Sequence, residues 1–177
     1  PVVETLRNVR AIVQAGPTPV TVVQPTIYLD NLLGPWILPG ILNDGVLASP
    51  APEEAPVSHI SQAALADFIA AVIARPEAAG RVYDIGGPEA LTGPQLARIV
   101  SEATGREVRY NALDLGQFAA GLNAAFGAPT GDLIADGYRY LAANPQAYRR
   151  SIAPWDELGV VPESAAQWAA RQTWSLG

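Results

Sequence analysis

The chain has 177 residues, of which 49% are hydrophobic and 16% are charged, and this composition predicts one globular domain. Its net charge of −6 argues against a direct nucleic-acid partner, because phosphate backbones are bound by clustered Lys and Arg. The sequence contains no cysteine and no lysine, and His59 is its single histidine. These absences exclude disulfides, thiolate nucleophiles, Schiff-base chemistry and a metal site built by this chain from cysteines or several histidines.

No targeting or membrane-spanning segment is predicted. The sequence starts without a basic region followed by an apolar run. The longest apolar stretch, Leu32–Leu42, is interrupted by Pro35 and Pro39 and is too short to span a bilayer of about 30 Å. We therefore expect a soluble, cytoplasmic protein.

The first half of the chain predicts a helix, a strand, a long loop and a second helix. Apolar residues at helical spacing predict the first helix over Glu4–Ala15, and the β-branched run Val20–Gln24 predicts a strand that is apolar on both faces. Helix breakers fill Pro25–Pro56, which predicts a loop with a short helix around Asp30–Ile41. Loops of this length are usually functional. Helical spacing returns over Ser61–Arg75.

The second half continues the alternation of strands and helices. A strand is predicted over Arg81–Ile85, a helix from the capping box of Thr92 to Gly105, and a strand over Val108–Ala112. This order predicts an α/β sheet with crossover connections. Three further helices are predicted, which carry Phe118, Leu122 and Phe126, then Leu133, Ile134, Tyr138 and Leu141, and finally Trp168 after Pro162–Glu163.

The three predicted strands make a poor free-standing sheet. Because Val20–Gln24 is apolar on both faces, we expect it to be a central strand without its upstream neighbour. Such an exposed edge pairs readily with another chain, so a homo-oligomer, or association through this edge, is expected. The helix Glu4–Ala15 is the alternative cover for the edge.

Four stretches carry a resemblance to a known family: Thr21–Leu32, His59–Ser61, Tyr83–Thr92 and Pro162–Trp168. Together they resemble the C-terminal portion of NmrA-like proteins, which are atypical short-chain dehydrogenases with a Rossmann fold. The resemblance implies a single domain over residues 1–177. It further implies the C-terminal part of a Rossmann-like doubly wound sheet, with about three strands and a helical substrate-binding region, and without the N-terminal dinucleotide-binding half.

The resemblance also implies a function. NmrA-like proteins include NAD(P)H-dependent reductases of quinones and dyes, so the chain is expected to be the substrate-binding portion of an NAD(P)-dependent oxidoreductase for a quinone-like or other small conjugated acceptor. NAD or NADP is the expected cofactor. The glycine-rich pyrophosphate turn of the family would lie upstream of this sequence, so cofactor binding and activity are not expected of this chain alone. The alternative is a non-catalytic redox sensor or protein-interaction module on the same scaffold.

The loop after the first strand is the predicted site, because ligands of doubly wound sheets bind beyond the carboxyl ends of the strands. The resemblance places the nicotinamide end of the cofactor along this loop. The predicted cofactor-binding residues are Gln24, Pro25, Thr26, Ile27 and Tyr28, and the predicted substrate-binding residues are Tyr28, Asn31, Trp36 and His59.

Each predicted site residue has a structural alternative. Tyr28 and Trp36 could be aromatics that only pack a lid, and Asn31 could cap a short helix. A lone histidine such as His59 can act as an acid or base, or can be a hydrogen-bonded structural residue. No catalytic residue and no metal ligand is assigned from the sequence.

Overall fold

The computed structural model describes residues 2–176, with side chains from residue 4 onward. Its strands, in chain order, are β1 (Val22–Pro25), β2 (Val46–Ser49), β3 (Val82–Ile85) and β4 (Arg109–Ala112). Its α-helices are α1 (Val2–Gln14), α2 (Gln62–Ile73), α3 (Gly93–Thr104), α4 (Leu115–Phe126), α5 (Thr130–Ala143), α6 (Ala153–Leu158) and α7 (Ala165–Ala170).

The strands form parallel pairs joined by helical crossovers, which confirms the predicted α/β class. β1 pairs with β3, with Val22 opposite Val82, and β2 pairs with β4, with Val46 opposite Arg109. The described residues form four strands in two separate two-stranded sheets, one strand more than the sequence predicted. The predicted first strand is also shifted, since β1 starts at Val22 and includes Pro25.

β2 is the strand that the sequence pattern missed. It lies inside Pro25–Pro56, which was predicted to be loop, and it has only four residues between breakers. Gly45, with a φ of 62°, turns the chain into β2 immediately before it. The predicted short helix around Asp30–Ile41 is instead a 3₁₀ turn over Leu29–Leu33 and a π-helical turn over Gly40–Asp44.

Two apolar cores hold the sheets against their helices. The first core joins β2 to α3 and α7, and the second joins β3 to α2 and α6. α3 begins at the predicted capping box, with the Thr92 backbone N–H donating to the Gln95 side chain at 2.9 Å, and ends at Gly105. α7 begins at Ala165, later than the predicted Pro162–Glu163, because Ser164 is its N-cap.

α6 was not predicted, since six residues are too few to show helical periodicity. Its Trp155 is fully buried and packs edge-to-face on Phe68 of α2, with ring centroids 4.9 Å apart. The Trp155 indole also donates to the Gly86 carbonyl oxygen at 2.9 Å. Through Trp155, α6 therefore packs on the core around α2 and hydrogen-bonds the residue that follows β3.

β1 has a single strand partner among the described residues, and its four residues are only half-buried. α1 packs against α5 rather than along β1, and its Arg10 donates to the Gln24 side chain at 2.7 Å. The apolar face of α1 remains exposed at Leu6, Val9, Ile12 and Val13. The helix therefore does not supply the alternative cover for the edge.

The expected association through this flank stays a prediction. A second copy that paired with the open edge of β1 would also cover the exposed face of α1. Sedimentation at low micromolar concentration is expected to show a dimer or a larger species. A compact monomer that melts cooperatively would contradict the interpretation of β1 as a central strand.

Within residues 2–176, no helix has the length and hydrophobicity needed to cross a bilayer.

Candidate functional site

A cavity of about 930 Å³ lies between the loop after β1, the end of β2 and the helices α4 and α5. This volume is at the upper end of the range found for small-molecule pockets. It is large enough for an aromatic compound of two or three rings. The cavity is therefore the candidate functional site.

The hairpin of α4 and α5 forms the outer wall of the cavity. Phe118, Leu122 and Phe126 are spaced four residues apart on α4, so that one face of the helix lines the cavity. The two helices approach closely at Gly131, where an added Cβ would overlap the carbonyl oxygen of Ala119. The Gly131 backbone N–H donates to the Asn123 side chain at 2.7 Å, which fixes the turn between the helices.

An aromatic pair stands at the mouth of the cavity. Trp36 of the loop after β1 and Phe126 at the end of α4 pack edge-to-face, with ring centroids 6.4 Å apart. Both side chains are more than half exposed, at 59% and 60%. Trp36 therefore bridges the loop and the hairpin at the boundary between the cavity and solvent.

None of the described residues that line the cavity is Asp, Glu, Lys or Arg. The wall is mostly apolar. Its hydrogen-bonding side chains are Tyr28, Asn31, Trp36, Ser49, His59, Tyr110, Gln117, Thr130 and Tyr138. The described lining thus offers neutral contacts and no counter-ion for a charged ligand.

His59 is partly buried, and its Nδ1 is enclosed without a hydrogen-bond partner in the described part of the chain. Burial lowers the pKa of His59 to about 4, although the Val57 backbone acts in the opposite direction. The imidazole is therefore neutral at physiological pH. In this form it can donate or accept a hydrogen bond, but it adds no charge to the cavity.

The lowered pKa of His59 predicts a pH-dependent stability. His59 binds a proton more tightly in the unfolded chain than in the folded protein, so acid favours unfolding. The stability that depends on a neutral His59 is therefore fully present above pH 6.5 and is lost as the pH falls to about 4. Between pH 7 and pH 4.5, the wild type should lose on the order of 2 kcal/mol more unfolding free energy than His59→Gln. Urea denaturation at the two pH values measures the difference, and equal losses in the two proteins would contradict it.

The phenols of Tyr110 and Tyr148 both lie near that of Tyr138, which lines the cavity. The Tyr110 hydroxyl donates to the Ala51 carbonyl oxygen at 2.6 Å, and the Tyr148 hydroxyl donates to that of Gly137 at 3.5 Å. Burial, with smaller contributions from the other two phenols, raises the pKa of Tyr138 to about 12. Tyr138 is therefore a protonated hydrogen-bond donor at neutral pH.

The structure divides the predicted cofactor segment into two parts. Ile27 and Tyr28 line the cavity. Gln24, Pro25 and Thr26 do not, since the Gln24 side chain accepts from Arg10, Pro25 pairs with β3, and the Thr26 hydroxyl donates to the Ser58 carbonyl oxygen. A cofactor role for these residues stays a prediction.

All four predicted substrate-binding residues, Tyr28, Asn31, Trp36 and His59, line the same cavity. The alternative reading of Asn31 as a cap is wrong, because Tyr28 is the N-cap of the 3₁₀ turn and that turn has no side-chain cap. The sequence reasoning missed Tyr138 and the apolar face of α4. Helical spacing was the available signal, but it is the same for a helix that packs a core and for one that lines a cavity.

The described residues offer no cradle for a pyrophosphate at the ends of β1 and β3. Gly86 and Gly87 follow β3, but a Cβ at either position would overlap the backbone of Ser58 or His59. These glycines allow protein segments to pack closely and leave no room for a phosphate.

Comparison with known sequences gives a consistent family. The model of the NmrA-like family matches residues 4–142. The chain is 34% identical over 97 residues to an NAD(P)H azoreductase of Xenophilus azovorans, covering 55% of this chain and 33% of that protein. It is also 34% identical over 114 residues to quinone oxidoreductase 2 of Escherichia coli, covering 62% of this chain and 37% of that protein.

Solved structures share the fold. A nucleoside-diphosphate-sugar epimerase from Staphylococcus aureus aligns with a TM-score of 0.76 at 24% identity, over 91% of this chain and 55% of that one. An NADPH-dependent quinone oxidoreductase from Escherichia coli, complexed with NADPH, aligns with a TM-score of 0.74 at 24% identity, over 90% of this chain and 56% of that one. The chain thus spans 33% to 43% of the curated relatives that it matches. By the extent of the family match, this chain belongs to the NmrA-like family.

Proposed function

We propose that the chain forms the acceptor-binding wall of an NAD(P)H-dependent oxidoreductase that reduces neutral, conjugated compounds such as quinones. The observation that carries the proposal is the large cavity whose described lining contains no charged side chain. Its apolar walls suit a flat ring, and its few polar groups suit the oxygen or nitrogen atoms of a conjugated acceptor. The names of two relatives, a quinone oxidoreductase and an azoreductase, point to the same class.

The position of the cavity supports the proposed cofactor. The cavity begins at Ile27, two residues beyond the carboxyl end of β1, where nucleotide cofactors bind in doubly wound sheets. A reduced nicotinamide beside Ile27 and Tyr28 would supply a hydride to the acceptor. No residue of this chain is assigned to the pyrophosphate, so we propose that the chain contributes to the nicotinamide end alone.

In this proposal, the residues of the chain bind and orient the acceptor. Leu122 and Phe118 of α4 cover one face of the ring, and the pair of Trp36 and Phe126 limits access of water at the mouth. The neutral polar side chains orient the heteroatoms of the acceptor. Excluding water strengthens the polar contacts inside the cavity.

A matched pair of quinones tests the proposal on the chain itself. We expect 2-methyl-1,4-naphthoquinone to bind saturably and to quench tryptophan fluorescence, because Trp36 stands at the cavity mouth. The sulfonated 1,4-naphthoquinone-2-sulfonate should bind at least about tenfold more weakly, since its charge finds no partner among the described lining residues. Equal binding of the two compounds, or no binding of either, would refute the proposal.

Titration with NADPH tests the proposal that this chain contributes only to the nicotinamide end of the cofactor site. The 177-residue chain is expected to show no saturable binding of NADPH at micromolar concentrations, because the described residues form no pyrophosphate cradle. Micromolar binding accompanied by quinone reduction would show that the chain holds the whole dinucleotide after all.

A further inference from the structure

Tyr28 and Tyr138 are the lining phenols whose hydroxyls have no hydrogen-bond partner among the described residues, and Tyr138 is the one that lies in the group with Tyr110 and Tyr148. The hydroxyls of Tyr110 and Tyr148 donate to backbone carbonyl oxygens. For the Tyr138 hydroxyl, the described residues provide no hydrogen-bond partner, although its ring packs edge-to-face on Phe118 at 5.7 Å.

The Tyr138 hydroxyl is also not fully enclosed by the protein. The described polar atoms that are both fully enclosed and unpartnered are His59 Nδ1, Arg150 Nε and Trp168 Nε1. The Tyr138 hydroxyl does not belong to this set, and Tyr138 lines the cavity. A donor without a partner among the described residues therefore belongs to a side chain that lines the space a ligand would fill.

Tyr138 lies next to the same buried cluster as Ile27. Tyr138 packs on the buried cluster of Ala51, Ala55, Val57 and Leu141, and Ile27 packs on the same cluster. Ile27 is the lining residue nearest in sequence to the end of β1. Tyr138 thus lies near the part of the cavity where the proposed nicotinamide and the reacting part of the acceptor would meet.

We propose that the Tyr138 hydroxyl donates a hydrogen bond to a carbonyl oxygen of the acceptor, and that this contact makes the cavity select conjugated carbonyl compounds over plain aromatic hydrocarbons. The inference rests on the proposed function of the cavity. A carbonyl oxygen satisfies the free donor, whereas a hydrocarbon of the same shape leaves it without a partner. Tyr138 is accordingly a specificity-determining residue.

Two ligands of nearly the same shape isolate this contact. Equilibrium dialysis would compare 2-methyl-1,4-naphthoquinone with 2-methylnaphthalene, which lacks the two oxygens, on the wild type and Tyr138→Phe. The substitution should weaken quinone binding about fivefold, which is typical for loss of one neutral hydrogen bond, and should leave hydrocarbon binding unchanged. The infrared carbonyl stretch of the bound quinone should shift to higher frequency in the variant.

Tyr148→Phe is the matched control. It removes a neighbouring hydroxyl that donates to the Gly137 backbone and does not line the cavity. This variant should keep the wild-type preference for the quinone and the wild-type carbonyl frequency.

The possible outcomes separate the inference from the function on which it rests. If the wild type binds the quinone and Tyr138→Phe binds it equally well, the role of Tyr138 is overturned while the proposed function stands. A variant that loses affinity for both ligands to the same degree would likewise overturn the role, because it would show an effect on packing alone. If the wild type does not bind the quinone, the proposed function itself fails.

Discussion

Replacing Leu122 with aspartate is expected to weaken the binding of 2-methyl-1,4-naphthoquinone by at least about tenfold, because a carboxylate inside an apolar cavity must keep its water or bury its charge unpaired. Leu122 is partly buried on the face of α4 that lines the cavity. No Arg or Lys stands among the described lining residues to pair with the new charge. Dialysis of the quinone against the variant measures the loss.

Two variants act as controls for the charge. Ala124→Asp adds the same carboxylate to an exposed position on the same helix, outside the cavity lining, and should bind the quinone as the wild type does. In Leu122→Asn, the new side chain has nearly the shape of aspartate but no charge. This variant should therefore lose much less affinity for the quinone than Leu122→Asp. Equal affinities for the wild type and Leu122→Asp would show that the quinone binds elsewhere.

The Gly87→Ala variant should lose about 3 kcal/mol or more of unfolding free energy, since its new methyl group would overlap the carbonyl oxygen of His59. The clash cannot be relieved by rotating a side chain, because the obstacle is backbone. The Gly87 N–H also donates to the carbonyl oxygens of Ser58 and His59, at 3.2 and 3.0 Å. For a chain of this length, the loss corresponds to a fall in Tm of about 10 °C.

Gly121→Ala is the matched control for Gly87→Ala. Gly121 lies inside α4, and no atom lies within 4 Å of the position where its Cβ would be. Alanine has the higher helix propensity, so Tm should stay the same or rise. Thermal melts followed by circular dichroism compare the two variants. A Gly87→Ala protein as stable as the wild type would contradict the close packing of the segment that carries His59.

The sequence predicted the elements with strong local signals. The capping box at Thr92 and the glycine at position 105 bound α3 as expected, because both act through contacts within a few residues. β2 and α6 lacked such signals, since four residues and six residues are shorter than the window that periodicity needs. Their identity depends on partners distant in the sequence, namely β4 for β2 and the core around Phe68 for α6.

The candidate site was predictable only on one side. The rule that ligands bind beyond strand ends led to Ile27, Tyr28 and the loop that follows, and these residues line the cavity. The opposite wall comes from α4 and α5, about a hundred residues away. Its apolar stripe has the spacing of an ordinary core-facing helix, so the sequence did not reveal that Tyr138 faces a cavity.

Chemical-shift mapping of the chain with 2-methyl-1,4-naphthoquinone tests the acceptor-binding cavity most directly. In ¹H–¹⁵N spectra, the largest changes should fall on the residues that line the cavity, with Ile27, Leu122 and Tyr138 among them. Residues of α2, none of which is among the described lining residues, should change little. If the largest changes fall instead on the exposed face of α1, or if no residue responds to the quinone, the cavity is not the acceptor site.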